Sequence, residues 1–445
     1  MIDKLIDSLC NQVSACFGVP GSGHSSQIIT GLMDSGIPFY STNHEASAAI
    51  MAGIFGEVGG ISSCISIKGP GLSNMFPGLA NNHFEDRAVI SLSENFDDGA
   101  LKWHKRLDHS FVFQVAKYVG SLTTMDDNLA SIACEGRPGV VHVELCNQDI
   151  SYRQSFQPTR HDVPKIGDQP VIILGKKCSG NNFDDLKSPV FTTASAKGLV
   201  DENSPNSFGV YCGVGYNENI IESADTLIAV EVSDYEVLKI DPRLSHLSYD
   251  QFNTIRSQLK VWNHNACLAD KRGWNPPFCF GLMNNTDWDY SMVVDTGLYC
   301  VAAEYYWKAS PSRRFLGSLN SRFMGTALPT AIGAALADDV PIVCCFGDGG
   351  LSYISELTMV QKYQLPIYFI GFIDGKYSSL GKNSRVGHKD YSWLRVFDGL
   401  GIESSECRDI DSFWSQFNSW DFRPKYIECI FDQESYINSI CDLRA

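Results

Sequence analysis

Positive charge is scarce in this sequence. The 35 lysines and arginines are outnumbered by 51 aspartates and glutamates, a formal net charge of −16, and no basic cluster is long enough to track phosphates along a strand. Nucleic acid is therefore excluded as a natural partner. Long hydrophobic runs are missing as well. The best of them, Pro341-Ile-Val-Cys-Cys-Phe346 and Pro366-Ile-Tyr-Phe-Ile-Gly-Phe-Ile373, fall far short of the roughly 18 residues of a bilayer span, so no membrane partner is expected. The 15 cysteines include no Cys-x-x-Cys pair, which argues against a disulfide-stapled secreted scaffold and against the common zinc modules. The start, Met1-Ile-Asp-Lys-Leu-Ile-Asp7, has neither the basic nor the apolar stretch of a secretory signal. A reducing, cytoplasmic location is the expectation. There is no short-period repeat.

What is present is ample apolar material. Hydrophobic residues make up 44% and charged residues 19% of the chain, which suits packed cores and excludes a disordered polymer. At roughly 100–200 residues per domain, the 445 residues suggest three domains. Short apolar runs alternate with helix-like stretches: Cys16–Val19 leads into Pro20-Gly-Ser-Gly23, Ile37–Tyr40 into an Ala-rich segment 44–57, and Ser62–Ile67 into Lys68-Gly-Pro-Gly71. That rhythm predicts βαβ units and parallel sheets. Residues 151–168 are polar and aperiodic and read as a linker. Strands at Pro170–Gly175, Pro189–Thr193 and Asp225–Val230 follow, spaced for crossover helices, and a last unit begins at Ser291–Val294. The fold class expected is α/β, with three doubly wound parallel-sheet domains at 1–155, 168–265 and 285–445.

The sharpest chemical feature is Gly347-Asp348-Gly349-Gly350, directly after the strand 341–346. A helix-like stretch 353–363 comes next, then the strand 366–373, then Asp374-Gly375. Parallel strands joined by one helix are usually neighbours, about 4.8 Å apart, so Asp348 and Asp374 are expected side by side at the carboxyl ends, where open α/β sheets bind ligands. Two hard oxygen donors beside glycines suit a Mg²⁺ that shares phosphate oxygens and water. A glycine turn entering a helix also favours an anion. Gly-Asp-Gly alone is equally an ordinary βα turn; the paired Asp374 is what distinguishes this one.

With these residues the chain resembles the thiamin diphosphate enzymes of the acetolactate synthase and 2-oxo-acid decarboxylase superfamily. The resemblance implies that the third domain binds the diphosphate through Gly347, Asp348, Gly349 and Gly350. It further implies a Mg²⁺ held by Asp348, Asp374 and the backbone carbonyl of Lys376, with Tyr377 against the cofactor. The family has an Asn-Asn pair where this chain has Ile373-Asp374, so one more negative charge stands beside the diphosphate. Met324-Gly-Thr-Ala-Leu-Pro-Thr-Ala-Ile-Gly-Ala-Ala-Leu336 is similar to the family's helix entry, which makes Met324 the residue that holds the cofactor bent, and Asp295-Thr-Gly297 is placed for the diphosphate. Asn43-His44-Glu45-Ala-Ser-Ala-Ala49 resembles the motif whose Glu meets the aminopyrimidine ring. A partly buried carboxyl in a first helical turn can hold a proton near neutrality and so activate the cofactor; Glu45 is the first-choice catalytic residue. Gly18-Val-Pro-Gly21, Gly69-Pro-Gly-Leu-Ser-Asn74, Gly136-Arg-Pro-Gly139 and, in the middle segment, Thr192-Thr-Ala-Ser-Ala-Lys-Gly198 extend the likeness over nearly the whole chain. The three domains then correspond to the pyrimidine-binding, middle and diphosphate-binding domains.

The middle domain is shorter than in full-length relatives, which argues against FAD, the flavin that acetolactate synthases hold there. Lys68 stands where relatives commonly have Ser; it either pairs with a substrate carboxylate or phosphonate or lies on the surface. Ser22 and His24 follow Val-Pro-Gly where decarboxylases orient their substrate, and His104, beside Trp103, lies near the position of their proton-relay histidines. The resemblance implies an enzyme that decarboxylates a 2-oxo acid and ligates the product to a second carbonyl compound, in a homodimer or homotetramer with sites between subunits. Simple decarboxylation, and a non-catalytic member with an assembly or sensing role, stay open as alternatives.

Overall fold

Runs rich in β-branched and aromatic residues form strands buried on both faces in the computed structural model, which describes residues 1–95, 107–154, 161–211, 218–236, 241–262, 271–380, 392–440 and 443. Three separate sheets result. In spatial order the first is Phe39–Ser41, Cys16–Gly18, Ser63–Ser66, Val89–Glu94, Val140–Leu145, Ala116–Ser121 and Ser151–Arg153; the second is Ser207–Val210, Val190–Thr192, Pro170–Leu174, Thr226–Val230 and Leu244–Leu247. The third is Phe315–Gly317, Ser291–Val294, Ile342–Gly347, Ile367–Ile373, Lys425–Ile430 and Glu403–Cys407. Neighbouring strands run parallel throughout, apart from Ser151–Arg153, which pairs antiparallel with Ala116–Ser121. Three α/β domains with parallel sheets are thus the architecture.

That antiparallel strand corrects one expectation. Residues 151–153 lie in the segment read as linker, yet they form a sheet edge. An edge strand needs backbone pairing on one side only and its side chains stay largely in water, so the polar Ser-Tyr-Arg sequence carries no apolar signature.

Packing groups Met1–Gln157 with Leu328–Asp339 and Tyr353–Leu365 in one compact unit; Pro158–Ala327, Val340–Ser352 and Pro366–Ala445 make a second. In the first unit the helix Glu45–Val58 is apolar all round, and every residue from Ala46 to Phe55 is buried. It lies against the helix Pro70–Phe84 at very short range: a Cβ at Gly78 would come within 2.4 Å of the Ala46 carbonyl oxygen. Against its other side, Gly333 of the helix Ala327–Ala337 allows a similar approach, since a Cβ there would meet the Ile54 side chain at 2.3 Å. Small residues at these crossings therefore seat the helix that carries Glu45. In the second unit the core of the third sheet is aromatic, with Phe372 stacked on Tyr299 and Phe280 at 5.5 and 5.0 Å between ring centres. Among the described residues no helix is long and apolar enough to cross a membrane, and the described cysteines are free thiols.

Candidate functional site

The strands Ile342–Gly347 and Ile367–Ile373 are parallel neighbours in a register that sets Gly347 opposite Phe372. Asp348 and Asp374 leave them side by side, and the Asp374 backbone N–H donates to Asp348 Oδ2 at 3.2 Å. The Asp374 carboxylate shapes its own loop, taking the Lys376 N–H at 3.2 Å on Oδ1 and the Ser378 hydroxyl on Oδ2. Burial, and then the charge of Asp374 beside it, hold the Asp348 carboxyl well above the usual range. Two carboxylates this close favour a cation between them.

These residues open onto a shallow cleft lined by Gly347, Asp348, Gly349, Gly350, Asp374, Lys376 and Tyr377, together with Thr296, Gly297, Tyr299 and Met324. Met324 is 49% exposed, unusual for a methionine, and its side chain faces this cleft instead of the core. The Tyr299 hydroxyl is buried with no hydrogen-bond partner among the described residues. Glycine is required at Gly350, where a Cβ would lie 2.7 Å from Asp295 Oδ2. Oxygen donors, a glycine cradle and an unpartnered hydroxyl fit a Mg²⁺ and a diphosphate. No three His, Cys, Asp or Glu side chains gather as a metal cage among the described residues, so the Lys376 carbonyl, water and ligand oxygens would complete such a shell.

Asp295 is placed differently from the expectation. It is 1% exposed and is not part of the cleft lining. Its carboxylate points beneath the cleft, accepting the Gly325 N–H at 2.9 and 2.8 Å and the Thr296 N–H at 2.8 Å. Burial pushes its carboxyl up to about 7 against those hydrogen bonds. Asp295 therefore ties down the Met324-Gly325 turn, and a further anion facing a diphosphate is avoided.

In the other unit Glu45 is the first residue of its helix and half-buried, and Asn74 Nδ2 donates to Glu45 Oε2 at 3.2 Å. His44 caps the helix, its Nδ1 accepting the Ala46 N–H at 3.1 Å. Lys68 is paired loosely, at 3.7 Å, with Glu94, whose other oxygen takes the Ser25 N–H at 2.9 Å and hydroxyl at 3.1 Å. Glu94 thus links Lys68 to the turn that carries Ser22, which is exposed. His24 is not gathered with them: it lines a separate surface groove with Ile2, Gln27 and Asn147. His104 lies outside the described residues.

Four residues contribute in ways that the sequence did not suggest. Asn74 closes a motif whose glycines drew attention first. Glu356, fully buried, binds the residues just before Glu45. Tyr299 carries the unpartnered hydroxyl. His109, also buried, accepts the Gly69 N–H on Nε2 at 3.1 Å while its Nδ1 meets Glu144 at 3.0 Å, so it fixes the Gly69-Pro-Gly turn. An isolated polar side chain is the only signal any of them leaves.

The second sheet reverses strand order between Pro170–Leu174 and Thr226–Val230, the place where such sheets take dinucleotides. Glu236 fills it. Its Oε1 accepts the Lys176 N–H at 2.8 Å, the Ser195 hydroxyl at 2.9 Å and the Thr193 hydroxyl, and Oε2 accepts the Ser233 N–H at 2.8 Å. Gly175 is pressed on the next loop, where a Cβ would lie 2.4 Å from the Glu231 carbonyl oxygen. The donors at this place are thus taken by a carboxylate of the chain itself.

Comparison with known proteins agrees with this geometry. A family model described as the N-terminal TPP binding domain of thiamine pyrophosphate enzymes matches residues 2–111, and one for the C-terminal TPP binding domain matches residues 295–397. An acetolactate synthase of Bacillus subtilis is 22% identical over 91% of this chain and 89% of its own length. The catabolic acetolactate synthase of Raoultella terrigena is 25% identical over 91% and 90%, and a probable acetolactate synthase large subunit of Methanococcus aeolicus is 23% identical over 94% and 86%.

Proposed function

Because the chain belongs to the thiamin diphosphate-dependent enzymes of acetolactate synthase type, we propose that it binds thiamin diphosphate with Mg²⁺, decarboxylates a 2-oxo acid and ligates the remaining acyl unit to a second carbonyl compound. The observation that carries this is the Asp348–Asp374 pair at the mouth of a glycine-lined cleft. When bound, the cofactor supplies a nucleophilic carbon and a sink for the electrons left behind by CO₂. Everything else falls to the chain. Asp348, Asp374 and the Lys376 carbonyl would hold the metal beside the diphosphate. The exposed Met324 side chain supports the cofactor in its bent form, on a turn anchored by Asp295. Glu45, its carboxylate aimed by Asn74, would exchange a proton with the aminopyrimidine ring. Lys68 pairs with the carboxylate of the substrate, shared with Glu94.

Two copies of the chain, or four, complete the working enzyme in this reading, with Glu45 of one copy serving the Asp348 cleft of another. The support is the family resemblance. Sedimentation of the purified protein should then give no monomer. The reading itself is tested by CO₂ release over a panel of 2-oxo acids, with and without aldehyde or 2-oxo acid acceptors, on wild type and Glu45→Gln. Release that Glu45→Gln abolishes, with a coupled product, is the expected result. Release without coupling makes the protein a simple decarboxylase, and no turnover of any acid favours an assembly or sensing role.

A further inference from the structure

The geometry points to Glu356 as the positioning residue that sets where the Glu45 carboxyl stands. This inference rests on the proposed role of Glu45 and concerns how the protein keeps that acid in place. Glu356 lies in the short 3₁₀ turn Ile354–Glu356 and is fully buried. Its Oε1 accepts the backbone N–H groups of Asn43 and His44, both at 3.0 Å; its Oε2 accepts the Asn43 N–H at 3.1 Å and Asn43 Nδ2 at 3.3 Å. Asn43 Nδ2 also reaches the Ser355 carbonyl and the Thr358 hydroxyl, each at 3.0 Å. The His44 ring packs on Tyr353 at 5.4 Å between centres. Glu45 is the next residue.

The chemistry of this contact is specific. The two amides are the last before the helix Glu45–Val58 begins, and helix starts expose N–H groups that attract negative charge. One carboxylate satisfies both at once, by charge-assisted hydrogen bonds. Burial pushes the Glu356 carboxyl above its usual range, a penalty that an apolar side chain would escape. Such a side chain would, however, leave both amides without an acceptor. What the acid supplies instead is a fixed backbone position immediately before Glu45, which leaves Asn74 to set only the side-chain direction. Without the clamp, the first turn of the helix is free to fray and the carboxyl to wander by the ångström that proton transfer does not tolerate.

Amide hydrogen exchange on the full-length protein reads the clamp without any cofactor. Glu356→Ala should speed exchange at Asn43 and His44 by about tenfold or more, while the strand Val89–Glu94 stays protected. Glu356→Gln keeps the oxygen that takes both amides, so His44 should stay near wild type and only Asn43 should loosen; this variant carries the test if the alanine protein does not fold. With thiamin diphosphate and Mg²⁺ bound, exchange of the cofactor's C2 proton should fall by about tenfold in Glu356→Ala and recover in Glu356→Gln, with cofactor affinity changed less than about threefold. Glu45→Gln should lose C2 exchange with no change at the amides. Unchanged amide protection in both Glu356 variants, or normal C2 exchange in a loosened Glu356→Ala, overturns the positioning role alone. A wild type that binds no thiamin diphosphate overturns the cofactor reading and this role with it.

Discussion

Two loops at the carboxyl ends of parallel sheets hold carboxylates withdrawn from water, and they are built in opposite ways. In the second sheet Glu236 is met by two backbone N–H groups and two hydroxyls. In the third sheet Asp348 is met by the backbone N–H groups of Asp374 and Gly375 and crowded by a second carboxylate, Asp374, beside an open cleft. Both acids are pushed upward by burial. The difference lies in what answers the charge. A carboxylate answered by the protein itself is a joint; one left facing another carboxylate and a cavity is prepared for something that binds. Fold alone does not separate the two, since both loops follow the same kind of strand.

Substitution should separate them cleanly. Asp348→Ala should weaken Mg²⁺-dependent binding of thiamin diphosphate by about 100-fold or more, with thermal stability unchanged or raised because a like-charge pair is gone; calorimetric titration and melting check both halves. Glu236→Ala should do the reverse. It leaves buried donors without a partner and should cost about 3 kcal/mol of stability, with cofactor affinity within about threefold of wild type. FAD added to either protein should not bind, and flavin that copurifies with the wild type would break the comparison.

Glu144 sharpens the contrast as a second joint, this time in the first sheet. Burial by itself would raise its carboxyl, but the imidazoles of His142 and His109 outweigh that and hold it down at about 2, against an ordinary value of 4.5. The folded protein therefore gives up this proton more readily than the unfolded chain. Its contribution is complete above pH 4.5 and disappears as pH falls through about 2. Urea melts of wild type and Glu144→Gln should differ by roughly 2 kcal/mol at pH 6 and converge in acid. The smallest effect belongs to Lys68, which stands 3.7 Å from Glu94. Lys68→Ala should raise KM for the 2-oxo acid about fivefold with kcat little changed.

Much of this arrangement is legible in the sequence where burial is two-sided. The strands Ile342–Gly347 and Ile367–Ile373 announce themselves as unbroken apolar runs, and their neighbouring positions bring Asp348 beside Asp374. The Ala-rich stretch after Glu45 is equally plain, because only small residues allow such close helix crossings. The edge strand Ser151–Arg153 leaves no pattern, since its side chains are largely in water. Asp295 misleads for another reason: its position at a strand end matches the ligand side, but the direction of a carboxylate depends on the Gly325 amide, far away in sequence. Glu356, Asn74 and His109 act through hydrogen bonds to residues far away in sequence. Such bonds have no periodicity and no local composition, so only the folded chain displays them.

Calorimetric titration of the cofactor-free protein with thiamin diphosphate, with and without Mg²⁺, tests the central claim most directly. The account predicts binding that requires the metal in the wild type and in Glu236→Gln and is lost in Asp348→Ala. Binding that ignores Mg²⁺, or that survives the loss of Asp348, would contradict it.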